Sequence, residues 1–520
     1  FTDFVSISEY GDLAMAKVSS NPADLRGVMR EGLEQLSRHV SGGMAGFLSK
    51  TQIVVHGTTI ATNALIQGNL AKSAIIGTRG FRDVLELREG LKDERYNAFV
   101  APPAPLVPRH LRFSVTERIG PGGDILTPLD EADVARVIDS LIELEVETVA
   151  VCLLWSVVNP VHEERICELL ARRLPDVPVY LSSRVWPRIR EYPRYSTTAL
   201  CAVLDRCLRR YVYSVEDNLH QLGYTGAIRY IQCNGGTTSK ELLQARPVAA
   251  LDSGPAAGPA ASLFFARTLG TDNLITFDMG GTSLDVSLVA NGEIETAKDL
   301  DVHGYRVSLP MVKVRTLGAG GGSIAWVDDS GMLRIGPRSA EANPGPACYG
   351  LGGSEPTVTD ANVVLGYFNQ SSLLGGRKPI VASLAAEAIR RQVAEPLELE
   401  ATEAALAIYT VVNDNMANAV HRSSTEQGYD LREFTLVCGG GCSAAHAARV
   451  AESAGIGSVV VPRVSAALCS FGAAVTTVRH DYSVSYHERF SLCSPALMEN
   501  AFVDMAEQAR AGLSQEKFSP

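Results

Sequence analysis

The sequence predicts an α/β protein with more than one domain. After Asp130 a helical pattern is followed by a buried strand, Thr148 to Leu154, and then by a second helix, Val161 to Arg173. This alternation is typical of a parallel sheet covered by helices. The length of 520 residues exceeds what one hydrophobic core usually supports. We therefore expect roughly two to four domains of about 150 residues each.

The composition is that of an ordinary globular protein, with 46% hydrophobic and 20% charged residues. The net charge of −11 argues against a nucleic-acid binder, which needs a basic face. No apolar run is long enough to span a bilayer, and no signal-peptide pattern stands at the start. The ten cysteines lack the paired spacing of a zinc site. They predict reduced thiols in a cytoplasmic protein.

The first part of the chain predicts a hairpin (Phe4 to Val18), a helix near Asn21 to Leu48, and a short strand that ends in His56-Gly57-Thr58-Thr59. Small and hydroxyl residues between a strand and a helix suit a bound anion or polar ligand, because free N–H groups point outward there. An ordinary helix N-cap supplied by Thr58 or Thr59 explains the same residues equally well.

The stretch from Ile275 to Val289 predicts two buried strands joined by a glycine turn. Gly280 and Gly281 lack a Cβ, so their backbone N–H groups can approach an anion, and Thr282 can donate a hydroxyl. A plain turn accounts for the glycines alone. The aspartates at 278 and 285 favour a phosphate site, because carboxylates beside a phosphate make sense mainly with Mg²⁺ between them.

Glycine-rich turns follow apolar strands elsewhere in the second half as well. Asp252-Ser253-Gly254-Pro255 precedes a helix of small residues, and Gly439-Gly440-Gly441 breaks a strand before the helix from Ser443 to Ala454. Open N–H groups at such strand-to-helix turns are suited to anions. Repetition of this pattern in one chain indicates a ligand site rather than ordinary turns between strands and helices.

The chain resembles the hydantoinase A/oxoprolinase family, which includes the related subunits of the ATP-dependent acetone and acetophenone carboxylases. The resemblance runs through most of the 520 residues. It is carried by seven stretches: VVHGTTIATNAL (54–65), RGFRDVLELRE (79–89), DSGPAAG (252–258), FDMGGTSLDV (277–286), LGAGGGSIAWVD (317–328), GPRSAEANPGPACYG (336–350) and EPTVTDANVVLG (355–366).

This resemblance implies a sugar kinase/actin-like fold, with two α/β domains and ATP in the cleft between them. It also implies that Asp278 and Gly280 to Thr282 form the second phosphate hairpin and that Gly439 to Gly441 lie against the nucleotide. We place an N-terminal domain at 1–190, the hydantoinase A core at 191–480, and the start of a truncated C-terminal region at 481–520. Gly254 is assigned to the nucleotide site, and Asp278 and Asp285 are assigned to Mg²⁺.

Three departures from the family pattern bear on the site. The family carries its first phosphate hairpin directly before Phe-Thr-Asp, and this sequence starts at Phe1, so we expect a longer natural protein. The turn at Gly439 reads Gly-Gly-Gly-Cys-Ser where relatives usually have Gly-Gly-Ala-Gly-Pro. Arg315 stands where relatives often have histidine, which puts a metal site at that position in doubt.

The expected reaction is transfer of the ATP γ-phosphoryl group to a carbonyl oxygen. The first hypothesis is a hydrolase that opens a cyclic amide such as hydantoin, 5-oxoproline or a lactam, together with a hydantoinase B-type partner in a hetero-oligomer. The alternative is the nucleotide-binding subunit of a ketone carboxylase, and a third is a non-catalytic nucleotide switch. His56, Thr58 and Thr59 are expected to bind the substrate, with His56 either catalytic or purely structural.

Overall fold

Strands and helices alternate along the chain, and the computed structural model describes residues 1–21, 24–38, 40–90, 92, 94–373 and 375–516. Two compact units are each assembled from separate segments of the chain. The predicted domain boundaries at residues 190 and 480 stay a prediction. Unit 1 comprises Phe1–Met44, Pro255–Glu295 and Val312–Thr476, and unit 2 comprises Ala45–Gly254, Thr296–Met311 and Thr477–Pro520.

The α-helices lie throughout both units. Among the described residues, no helix is both long and apolar enough to cross a membrane. The helices are Leu25–Ser37, Gly43–Lys50, Ile60–Gln67, Val84–Leu87, Glu131–Glu143, Val161–Arg173, Ser182–Val185, Glu191–Gln221, Lys240–Ala245, Ser253–Ala256, Gly258–Leu269, Val358–Val364, Ala382–Ile389, Glu395–Leu397, Ala401–Thr425, Ser443–Ala454, Leu468–Val475 and Pro495–Gln515.

Unit 1 is built on a mixed sheet. Its strands lie in the spatial order Glu293–Ile294, Leu284–Ala290, Leu274–Met279, Thr435–Gly439 and Ser458–Val460. The first three are antiparallel neighbours and the last two run parallel to Leu274–Met279. Three antiparallel strands continued by parallel ones are the order of the sugar kinase/actin class, and the predicted α/β fold is confirmed. The remaining strands of this unit include Thr2–Ile7, Leu13–Val18, Arg315–Leu317, Ser323–Val327 and Leu333–Ser339.

Both faces of this sheet are covered. Ile275 and Phe277 pack into a cluster with residues of the helices Ala401–Thr425 and Ser443–Ala454. Leu274 points to the opposite face and packs with Leu468. The strand therefore reads as a continuous apolar run in the sequence, because a strand buried on both sides has no polar face.

Unit 2 contains a four-stranded parallel sheet in the order Arg112–Val115, Ser73–Thr78, Thr148–Cys152 and Val179–Leu181. After Ser73–Thr78 the chain forms the neighbour on one side, and it then crosses to form the neighbour on the other side. Such a reversal is a topological switch point, where a crevice opens at the carboxyl ends of the strands. A second sheet pairs Thr237–Thr238, Ala227–Ile231 and Ile53–His56.

Two helix predictions differ from the structure. The helix expected from Asn21 to Leu48 is two helices, because Gly42 and Gly43 have positive φ angles of 87° and 58° and interrupt it. The pattern from Thr197 to Leu222 also predicts a helix, and in the structure this helix begins at Glu191 and includes Pro193. Proline is tolerated in the first turn, where its missing N–H has no intrahelical partner.

Asp360 holds an irregular loop of unit 1 onto the helix Val358–Val364, and its replacement tests this arrangement. The fully buried carboxylate accepts hydrogen bonds from the backbone N–H groups of Ala347, Cys348 and Thr357 and from the Thr357 hydroxyl. Asp360→Asn turns an amide NH₂ towards these donors. We expect the free energy of unfolding to fall by about 3 kcal/mol in urea titrations. The exposed Asp329→Asn is the control, and equal stability of the two variants would contradict this role of Asp360.

Candidate functional site

The hairpin formed by Leu274–Met279 and Leu284–Ala290, called here the Asp278 hairpin, carries two facing carboxylates. Asp278 and Asp285 are direct cross-strand partners, so their side chains leave the same face of the sheet. The Asp278 carboxylate accepts a hydrogen bond from the Cys469 thiol (3.0 Å), and Asp285 accepts one from the Thr316 hydroxyl (2.6 Å). Burial raises the pKa of Asp278 above its ordinary value.

The tip of the Asp278 hairpin is held by the glycine-rich loop from Gly318 to Gly322. The backbone N–H of Gly321 donates to the Gly280 carbonyl (3.0 Å), and that of Gly322 donates to the Gly281 carbonyl (2.6 Å). A Cβ at Gly320 would lie 2.6 Å from the backbone nitrogen of Thr282, so only glycine permits this approach. Gly281 and Thr282 themselves are exposed.

The turn from Gly439 to Gly441 lies against the same hairpin. Gly439 is paired with Asp278 in the parallel register. Gly440 has φ 80° and donates to the Ser465 carbonyl (2.7 Å), and a Cβ there would collide with the Met279 carbonyl oxygen. The structure thus brings together all the unit 1 residues predicted for the nucleotide site. These are Asp278, Gly280, Gly281, Thr282, Asp285, Gly439, Gly440 and Gly441.

The acidic pair has the composition of a magnesium site. Among the described residues, no group of three or more His, Cys, Asp or Glu side chains is arranged to hold a metal ion. Mg²⁺ does not require such a cage, since it usually binds one or two carboxylates and completes its shell with water and phosphate oxygens. Asp278 and Asp285 fit that pattern, because facing like charges are destabilising without a cation.

A cavity of about 810 Å³ adjoins the Gly439–Gly441 turn within unit 1. Tyr367 stacks on Tyr409 with ring centroids 4.8 Å apart, and the Tyr367 side chain is exposed. Tyr409 is fixed from behind by its hydroxyl, which donates to the Ala445 carbonyl (2.9 Å). The cavity is suited to a flat ring, because aromatic faces stack on one another. It is lined by Tyr367, Phe368, Tyr409, Gly441, Ala444, Ala445, Ala448, Arg449 and Glu452.

His56 lies at the end of its strand in unit 2 and is hydrogen-bonded. Its Nε2 atom is 2.9 Å from the Tyr211 hydroxyl, which also bonds the Thr58 side chain. The rings of Tyr211 and Tyr230 pack against the imidazole, with centroids 5.6 and 6.2 Å away. Burial lowers the pKa of His56 to about 4, so the ring is neutral at pH 7.

The threonines that follow His56 have local hydrogen bonds. The Thr58 hydroxyl accepts from the backbone N–H of Ile60 (3.1 Å), and the Thr59 hydroxyl accepts from the Asn63 amide (3.2 Å). Thr59 stands at the N-cap position of the helix Ile60–Gln67 without capping it through its side chain. Gly254 lies in the short helix Ser253–Ala256, and a Cβ there would be 3.4 Å from the Thr59 methyl group.

Sequence reasoning missed three side chains near these groups. The hydroxyl of Tyr211 reaches His56 from a position 155 residues away, and the Cys469 thiol reaches Asp278 from 191 residues away. Lys17 forms an ion pair with Asp3 (2.6 Å), and both charges influence the pKa of Asp278. For Lys17, the available signal in the sequence was a lysine opposite an aspartate in the predicted hairpin. The guanidinium of Arg315 forms an ion pair with Glu426.

His56 is expected to stay neutral well below pH 7, because burial disfavours the imidazolium. Its folded-state pKa of about 4 is below the ordinary 6.5, so the unfolded state binds a proton at higher pH than the folded state does. The contribution of His56 to the free energy of unfolding is therefore fully present above pH 6.5 and is lost as the pH falls towards 4. We expect His56→Gln to lose less stability than the wild type over that interval in urea titrations. The ¹⁵N signals of labelled His56 should not move between pH 8 and 6. A midpoint near 6.5 would contradict the prediction.

Known proteins of similar sequence match nearly the whole chain. The family model described as hydantoinase/oxoprolinase matches residues 194–482, and that of the hydantoinase/oxoprolinase N-terminal region matches residues 1–174. The caprolactamase subunit alpha of Pseudomonas jessenii is 42% identical over 517 residues, which cover 99% of this chain and 73% of the relative. The acetophenone carboxylase gamma subunit of Aromatoleum aromaticum is 36% identical and is matched over 93% of this chain and 68% of its own length.

A solved structure is similar along the whole chain as well. The crystal structure of an ATP-dependent caprolactamase from Pseudomonas jessenii superposes with a TM-score of 0.90 at 41% identity. The match covers all of this chain and 76% of that one. Since the family models and these relatives span nearly the whole sequence, the chain belongs to the hydantoinase/oxoprolinase family.

Proposed function

We propose that this chain uses ATP to activate the carbonyl group of a small cyclic amide, whose ring is then opened by water. The observation that carries the proposal is the register that sets Asp278 opposite Asp285 beside the Gly280–Gly281 tip. A carboxylate pair next to open backbone N–H groups suits a magnesium-bound phosphate chain. The caprolactamase relatives, one of them described as ATP-dependent, support the same reaction class.

Each part of the nucleotide has a matching group in unit 1. The hairpin tip exposes Gly281 and Thr282, whose N–H and hydroxyl groups can donate to the phosphates, whereas the Gly280 N–H donates to the Ser283 carbonyl (3.0 Å). Gly280 stays assigned to the nucleotide as a prediction. Asp278 and Asp285 would hold Mg²⁺, which would supply positive charge beside the transferred phosphoryl group. The cavity beside Gly441 takes the nucleoside, whose base stacks on the exposed Tyr367 ring. Gly254 stays assigned to the nucleotide as a prediction.

The reaction balances without any oxidant or reductant. The amide oxygen attacks the γ-phosphorus, the bond to the β-phosphate oxygen breaks, and ADP leaves. Water then adds to the activated carbon, and the C–N bond breaks to leave an acyl phosphate with a free amine. A second water cleaves the acyl phosphate into a carboxylate and phosphate. Cyclic amide, ATP and two waters thus become an amino acid, ADP and phosphate. The protein's contribution is mainly positioning and charge stabilisation.

His56, Thr58 and Thr59 are proposed to bind the amide. A neutral imidazole hydrogen-bonded to Tyr211 acts as a dipole and not as a cation, because its pKa is lowered to about 4. It therefore orients a substrate as a neutral group and does not act as a proton donor at neutral pH. General acid catalysis by His56 fits this environment less well than positioning the substrate or accepting a proton.

Ketone carboxylation is the second candidate. The 36% identity to an acetophenone carboxylase gamma subunit over 93% of the chain favours it. Both reactions begin by phosphorylating a carbonyl oxygen, so the nucleotide-binding groups of unit 1 serve either one. The two reactions differ in the steps after phosphorylation. The proposed partner, a hydantoinase B-type subunit in a hetero-oligomer, completes those steps.

The deciding experiment measures ADP release by the chain co-purified with its partner, with Mg²⁺-ATP and two sets of substrates. One set holds hydantoin, 5-oxoproline and lactams, and the other holds small ketones with bicarbonate. We expect turnover with a cyclic amide, which would support the hydrolase. Turnover that requires both ketone and bicarbonate would support the carboxylase, and ADP release in neither set would contradict both.

Asp278→Asn is expected to lower ATP turnover at least about a thousandfold, because it removes a metal-binding charge from the transferred phosphate. The matched control is Asp272→Asn, which changes an exposed aspartate just before the same strand. Rates are measured by coupled ADP assay on the complex with its partner. Turnover that survives in Asp278→Asn would remove this residue from the site.

Tyr367→Ala tests the proposed nucleoside cavity. Loss of one stacking face is expected to raise KM for ATP about tenfold and to leave kcat nearly unchanged, because a base–aromatic stack contributes about 1–3 kcal/mol in nucleic-acid complexes. Tyr10→Ala, at another exposed tyrosine of unit 1, serves as the control. An unchanged KM would place the base elsewhere.

A further inference from the structure

Arg88 is a buried cation that forms no ion pair within the described part of the chain. The residue is 6% exposed, and its guanidinium donates to the Tyr192 hydroxyl (3.2 Å) and to the Gly304 carbonyl (3.3 Å). In the described part of the chain, no carboxylate lies within 4.0 Å of its nitrogens. Both acceptors are neutral, so within these residues nothing compensates the charge of the guanidinium.

Other buried arginines in unit 2 are satisfied differently. Arg112 forms ion pairs with Asp83 (3.4 Å) and Glu86 (3.1 Å). Arg194 lies on backbone carbonyls, including those of Leu153 (2.9 Å) and Arg188 (2.8 Å). A buried charge is usually paired in this way or neutralised by a ligand, because an isolated ion is costly to desolvate. Within the described part of the chain, Arg88 has no ion pair and one carbonyl acceptor, whereas Arg194 has several carbonyl acceptors.

The backbone around Arg88 is strained. Arg88 and Glu89 have consecutive φ angles of 49° and 55°, a region that side chains other than glycine seldom occupy. Glu89 does not serve Arg88, since its carboxylate pairs with Arg190 (3.3 Å). Such strain is concentrated at ligand sites and persists only where the surroundings impose it. The segment follows Ser73–Thr78, the strand at the switch point of the parallel sheet.

Two buried tyrosines of the helix Glu191–Gln221 add hydrogen-bond donors. Tyr192 accepts from Arg88, so its own hydroxyl proton remains free for another acceptor. Tyr195 lies one turn further on the same helix face and is 2% exposed. Among the described residues, its hydroxyl has no hydrogen-bond partner. Burial raises the pKa of Tyr195 well above its ordinary value, so this hydroxyl keeps its proton and is a donor.

We propose that Arg88, Tyr192 and Tyr195 form a binding site for a small monoanion of carboxylate geometry, either an organic carboxylate or bicarbonate. A single unpaired guanidinium matches one negative charge, and its planar fork matches two oxygens in one plane. The tyrosine hydroxyls satisfy the remaining lone pairs. A phosphate dianion fits less well, since the nearby Arg190 charge is already neutralised by Glu89.

The test uses the full chain without nucleotide and measures its melting temperature at constant ionic strength in chloride, phosphate, acetate or bicarbonate. We expect a saturable rise of about 2 °C in acetate, bicarbonate or both, because a ligand that binds only the folded state stabilises it. A rise in acetate alone identifies an organic carboxylate as the ligand source, and a rise in bicarbonate alone identifies bicarbonate. An equal rise in melting temperature with all four anions, or no rise with any of them, would overturn the proposal.

Tyr195→Phe and Arg88→Gln locate the effect. Tyr195→Phe removes an unpartnered buried hydroxyl, so in chloride the variant should melt at or above the wild-type temperature. Its anion affinity should fall about tenfold, and Arg88→Gln should abolish the saturable rise. Tyr213→Phe and Arg184→Gln change an exposed tyrosine and an exposed arginine and should bind as the wild type does.

Undiminished anion stabilisation in Tyr195→Phe, which is expected to fold, would overturn the proposal even if Arg88→Gln were unstable. The readout is independent of ATP turnover. Failure of this site therefore leaves the proposed reaction untouched, and failure of the proposed reaction leaves this site untouched.

Discussion

The register of the Asp278 hairpin is the constraint on which the rest of unit 1 depends. It places Asp278 opposite Asp285, and it sets the Gly280–Gly281 tip where two other glycine turns reach it. A shift of one residue between the strands would put the two carboxylates on opposite faces of the sheet, because side chains alternate along a strand. The close backbone approaches at Gly320 and Gly440 fix this register, since neither position has room for a Cβ.

Buried polar groups in the molecule divide into satisfied and unsatisfied sets. Asp360 is fully buried and accepts hydrogen bonds from both backbone and side-chain donors. Glu163, also fully buried, accepts from the Leu153 N–H and from Ser182 and Ser183. Such groups hold loops in place. Among the described residues, the Tyr195 hydroxyl has no hydrogen-bond partner and Arg88 has no counter-ion. The cost of leaving a buried group uncompensated makes both exceptions informative about a ligand.

Local patterns were enough for many elements of the fold. The helices Val161–Arg173 and Ser443–Ala454 have the predicted ends, because their apolar periodicity and flanking turn residues act over a few positions. The predicted helix across Gly42 failed because paired glycines adopt positive φ angles that helical periodicity does not reveal. The interleaved units were also beyond local reasoning, since chain continuity says nothing about which segments share a core.

The sequence by itself determined the family, the α/β class and the residue types of the Asp278 hairpin, because glycine spacing and facing aspartates are local and chemically specific. The tertiary structure alone decided that Cys469 bonds Asp278, that Tyr211 bonds His56, and that Arg88 is buried without a counter-ion among the described residues. These contacts join segments far apart in the chain. Burial and pairing across such distances are set by packing, and no local pattern of residues carries that information.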